Sequence, residues 1–75
     1  MQLPDRIKAI RKALKLTQIA LAERLKVINL TVTRWESGER KPDSMALIAL
    51  ASVTGASIRW LETGGTMKQR GALKP

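Results

Sequence analysis

Neither cysteine nor histidine occurs in this chain of 75 residues. A domain of that size buries only about 60% of the surface its unfolded chain exposes. It has no disulfide and no thiolate or imidazole metal ligand to add to that burial. Packing alone must hold it, and there is room for one small domain. The same absence removes the thiol nucleophile and the imidazole base, so no enzyme activity, metal or cofactor is expected. Apolar residues make up 44% of the chain but aromatics only 3%, Trp35 and Trp60. A core of Leu, Ile, Val and Ala suits helices better than the β-branched and aromatic strands of a sandwich.

Fourteen Lys and Arg against six Asp and Glu give a formal net charge of +8. Nothing in folding requires that excess, so it points to a polyanionic partner, nucleic acid before an anionic membrane surface. No apolar run reaches the 18 or so residues that span a bilayer, and the first residues lack the pattern of a secretion signal. The expectation is a soluble cytoplasmic protein, on the nucleoid if its partner is DNA. No repeat or low-complexity tract interrupts the chain.

Helical spacing of Ile7, Ile10 and Leu14 predicts an amphipathic first helix over Pro4 to Lys15, with Lys8, Lys12 and Lys15 opposite. Arg11 falls at the edge of the apolar stripe, which marks it as the one partly buried base of that helix. Thr17 is a suitable N-cap for a second helix, Gln18 to Leu25. A third helix follows Lys26 and runs to about Ser37, with Gly38 in its C′ position. Asp43 or Ser44 caps a fourth, carrying Leu47, Ile48, Leu50 and Ala51 and ending at Gly55. Ser57 caps a fifth, Ile58 to Thr63, stopped by Gly64. Residues 65 to 75 hold Lys68, Arg70 and Lys74, no acid and no apolar period. They read as a mobile basic tail beyond a domain of residues 1 to 64.

Two short helices joined by a tight turn on a basic chain suggest a helix-turn-helix, whose second helix enters the major groove of DNA. Ala22 is small where the two helices cross. Leu21, Leu25, Val27, Val32 and Trp35 are apolar where the unit packs on its domain. That leaves Asn29, Leu30, Thr31, Thr33 and Arg34 exposed on the third helix.

The strings Thr17-Gln18, Leu21-Ala22, Val32-Thr33-Arg34-Trp35-Glu36-Ser37-Gly38, Pro42 and Trp60-Leu61-Glu62-Thr63-Gly64 occur in order. Together they resemble the phage-repressor (Cro/CI, XRE) helix-turn-helix family over roughly residues 5 to 64. The resemblance implies an all-α, five-helix, lambda-repressor-like domain that binds a palindromic operator in double-stranded DNA as a homodimer and represses transcription. It implies base contacts from Asn29, Leu30 and Arg34, with Thr33 on the same reading helix, and phosphate contacts from Gln18, Thr31, Arg40 and Lys41. It also implies an ion pair between Arg11 and Glu36.

Four positions depart from the family pattern. Lys26 stands where glycine is usual in the turn; a left-handed backbone there costs Lys on the order of 1 kcal/mol. Ile28 replaces the Ser or Thr N-cap of the third helix, at about 1 kcal/mol, while Val27 and Val32 can staple that start. Ile19 and Leu30 replace polar residues. Ile28 lies four and seven residues before Val32 and Trp35, a spacing that reads as core; alternatively it joins Ile19 and Leu30 in an apolar patch. Such a patch fits a second reading, an antitoxin-like interaction protein of the same fold with a protein partner. A basic RNA-binding or membrane-surface peptide built on the first helix fits the five capped helices poorly. The lysine face of the first helix reads as solvated surface, and both tryptophans read as structural.

Overall fold

The computed structural model describes residues 2–64. The basic segment read as a tail, 65 to 75, lies outside the described residues. Five helices follow in order: α1 (Leu3–Ala13), α2 (Gln18–Leu25), α3 (Asn29–Ser37), α4 (Ser44–Thr54) and α5 (Ile58–Thr63). There are no strands among the described residues.

Local chemistry sets most of these boundaries. Thr17, Asp43 and Ser57 each accept from the backbone N–H three residues on, at 3.0, 2.9 and 2.9 Å, the N-cap bond that satisfies an orphan donor of the first turn. α1 stops at Ala13, short of the predicted Lys15, because Lys15 turns left-handed at φ 59°. Leu16 N–H then donates to Arg11 O and Lys15 N–H to Lys12 O, the crossed bonds of a Schellman ending. α2 ends in the same way at Lys26, φ 61° and ψ 42°, with Val27 N–H donating to Ala22 O and Lys26 N–H to Glu23 O. Both left-handed positions are lysines, so each stores roughly 1–2 kcal/mol of backbone strain that glycine would not.

Ile7, Leu21, Val32, Leu50 and Leu61 are fully buried and, with Ala22, Trp35, Leu47 and Ala56, form the core. Full burial of each large aliphatic chain stabilises the fold by about 1.5–3 kcal/mol. α3 packs on α1 and α2, α5 on α1 and α4, and α2 on α4. Trp60 lies half-buried against the core.

Four expectations about burial need correction. Ile28 is 68% exposed: α3 begins only at Asn29 and Ile28 has extended backbone, φ −76° and ψ 153°, so helical spacing to Val32 and Trp35 does not apply to it. Val27 is 36% exposed and so is not part of the buried core. Ile48 is half exposed, since it follows Leu47 on the outward turn of α4. Arg11 is not the one partly buried base of α1, because Arg6 is more buried, at 6% exposure. Arg6 Nε donates to Leu61 O at 2.9 Å and its Nη2 to Glu62 O at 3.2 Å. The last carbonyls of α5 carry the negative end of a helix and suit a cation.

Candidate nucleic-acid interface

The α2–α3 unit is held from behind by one buried ion pair. Arg11 Nε donates to Glu36 Oε2 at 2.6 Å, Nη2 to Glu36 Oε1 at 3.0 Å, and Nη1 to the Leu16 carbonyl at 2.8 Å. The side chains are 12% and 2% exposed. A bidentate, charge-assisted contact of this kind fixes direction as well as distance, so α3 is locked in orientation to α1. Gln18 joins the same group: its amide N–H donates to Glu36 Oε1 and its carbonyl accepts from the Thr33 hydroxyl, both at 3.0 Å. Gln18 and Thr33 thus meet each other across the α2–α3 crossing. One N–H of the Gln18 amide remains beyond the Glu36 bond.

On the outer side, Asn29 and Leu30 stand exposed on the first turn of α3. Arg34 lies one turn further along, half-buried. Thr31, Arg34, Trp35, Arg40 and Lys41 line a shallow cleft of about 120 Å³. The loop after α3 closes this cleft by folding back: Arg40 N–H donates to Arg34 O at 3.2 Å, and the left-handed Gly38, φ 85°, makes the reversal. A Cβ at this position would meet the Pro4 ring at 3.7 Å, ordinary van der Waals contact. The structure therefore brings Thr31, Arg34, Arg40 and Lys41 together around one cleft, leaves Asn29 and Leu30 exposed outside that lining, and ties Gln18 and Thr33 to the crossing.

Sequence reasoning missed two residues here. Glu39 forms an ion pair with Arg34, Nε to Oε2 at 3.5 Å; the pairing depends on how the loop folds back, which no helical spacing encodes. Arg6 was detectable by the rule that found Arg11, since it lies three residues after Leu3 and four before Ile10 along the apolar stripe.

A helix-turn-helix family model matches residues 7–61. The chain belongs to the helix-turn-helix family. It is 40% identical over 65 residues to the HTH-type transcriptional regulator DicA of Escherichia coli, covering 87% of this chain and 48% of DicA. It is 37% identical over 60 residues to repressor protein C2 of Salmonella phage P22, covering 80% of this chain and 28% of C2. The chain thus spans less than half the length of these two helix-turn-helix relatives. The crystal structure of the P22 c2 repressor in complex with a synthetic operator superposes with a TM-score of 0.81 at 34% identity, over 85% of this chain and 97% of that one. Five helices in this order are the lambda-repressor-like form of the helix-turn-helix fold. No helix among the described residues is long and apolar enough to cross a membrane.

Proposed function

We propose that this chain is a sequence-specific DNA-binding transcriptional regulator that represses by occupying an operator. One observation carries the reading. The exposed side chains of α3 lie beside the cleft lined by Arg40 and Lys41, in a fold that superposes on a repressor solved with its operator.

In this reading α3 lies in the major groove. Asn29 bonds adenine through N6 and N7, Arg34 grips guanine O6 and N7, and Leu30 packs on a thymine methyl. Arg40 and Lys41 neutralise phosphates, and Gln18, Thr31 and Thr33 hydrogen-bond the backbone or set its register. Two copies act as a homodimer on a palindromic operator with half-sites about one helical turn apart. Ile48 and Ile58 are exposed on α4 and α5, which supports a contact between copies through α5 and the turn at Gly55. The place of action is the cytoplasm, on nucleoid DNA.

Selection of bound sequences from a random duplex pool, followed by salt titration, tests this. The expected result is an inverted repeat and a slope of log K against log salt steeper than about −4 for a dimer. A flat titration would overturn DNA binding, and a single asymmetric half-site would overturn the dimer. The antitoxin-like reading is favoured by a different observation, the exposure of Ile19, Ile28 and Leu30. A Leu30→Ala change that leaves DNA affinity and base preference untouched would support that protein-binding patch.

A further inference from the structure

Arg34 is the longest side chain on the exposed side of α3, and a free arginine there has two kinds of acceptor within reach, a base edge and a phosphate. Glu39 stands beside it. Its carboxylate meets the Nε edge of the guanidinium at 3.5 Å. Its backbone is held beside the end of α3 by a short chain of bonds. Glu39 N–H donates to the Ser37 hydroxyl at 3.3 Å, that hydroxyl donates to Arg34 O at 3.1 Å, and Arg40 N–H donates to the same carbonyl. Besides Arg34, the charged residues lining the cleft are Arg40 and Lys41, whose like charge repels the guanidinium rather than holding it.

We infer that Glu39 is a specificity-determining positioning residue that holds Arg34 by its Nε edge and leaves the two Nη groups free as the fork for guanine. Bidentate recognition of guanine O6 and N7 needs two parallel N–H donors, and the two Nη groups supply them. The carboxylate also repels any phosphate that would otherwise draw Arg34 aside. Glu39 therefore weakens binding to arbitrary sequence while sharpening the choice of one base pair in each half-site. The inference rests on the DNA-reading role proposed for Arg34.

The test compares the 75-residue chain with Glu39→Gln, Glu39→Ala, Arg34→Ala and Arg34→Ala/Glu39→Gln on the selected operator, on its single-base variants and on a random duplex. Glu39 is exposed, so both of its variants should keep the helical content and melting temperature of the parent. Glu39→Gln and Glu39→Ala should bind the random duplex more tightly. They should lose about fivefold or more of the preference at the base pair that Arg34→Ala relaxes, part of the roughly 5- to 150-fold that one bidentate contact supplies. Every other position should keep its preference, and the double variant should be no less selective than Arg34→Ala alone. If Arg34→Ala relaxes one position and the Glu39 variants shift all duplexes by a common factor, Glu39 acts only through net charge and the positioning role is overturned. If Arg34→Ala relaxes no position, the base contact assigned to Arg34 fails as well.

Discussion

Two arginine–glutamate pairs lie at opposite sides of α3, and they differ in almost everything except their chemistry. Arg11 and Glu36 meet through two bonds at 2.6 and 3.0 Å with side chains 12% and 2% exposed. Arg34 and Glu39 meet at 3.5 Å with side chains 38% and 63% exposed. In the first pair, water has been removed from both charges, so either partner alone would be left with an uncompensated desolvation cost. In the second, water competes for both charges, and the pair holds a direction without adding much to stability. The same two residue types thus serve as a structural joint behind the helix and as a guide in front of it.

The largest effect should come from breaking the inner pair. Glu36→Ala leaves the Arg11 guanidinium without its acceptor and should cost roughly 2–4 kcal/mol of unfolding free energy in urea titration. A double-mutant cycle of Arg11→Ala with Glu36→Ala should give a coupling well above 0.5 kcal/mol or so; a smaller value would mean the two pairs are alike. Next comes Arg34→Ala, which should leave unfolding nearly unchanged yet weaken operator binding by about 1–3 kcal/mol, with preference relaxed at one base pair. If Leu30 packs on a thymine methyl as proposed, Leu30→Ala should cost less than Arg34→Ala and leave the salt slope unchanged, and uracil in place of that thymine should reproduce it. The smallest effect belongs to the outer pair itself: Glu39→Ala should change stability by less than about 0.5 kcal/mol. Raising salt towards 1 M, where the screening length falls to about 3 Å, should erase even that difference while sparing the Arg11–Glu36 coupling. A Glu39→Ala penalty near that of Glu36→Ala would refute the contrast.

How far these features were legible in the sequence depends on how local their causes are. Thr17, Asp43 and Ser57 cap their own helices, and Gly38, Gly55 and Gly64 end theirs in left-handed backbone, so the five elements follow from neighbouring residues. The unusual lysine in the α2–α3 turn was readable for the same reason. Ile28 invites a core reading beside the patch reading because helical spacing carries one residue ahead of the start of α3, where the backbone is still extended. Glu39 escaped because its partner is chosen by a loop reversal. The roles proposed for single side chains on DNA rest on resemblance rather than on spacing, since helical periodicity says which residues face out and not what they meet.

Arg6 joins residues at opposite ends of the described chain: its bond to Leu61 O closes a sequence separation of 55. Contacts of such long span form late during folding, after the local helices and their nearer neighbours have assembled. Removing one should therefore leave the folding rate almost unchanged and act on the reverse process. Arg6→Ala forfeits hydrogen bonds from a charged donor, about 1.5–3 kcal/mol. In a chevron experiment that loss should appear as roughly ten- to a hundredfold faster unfolding. The guanidinium at the base of α1 would then set how long the folded domain persists, whereas the core sets how quickly it forms.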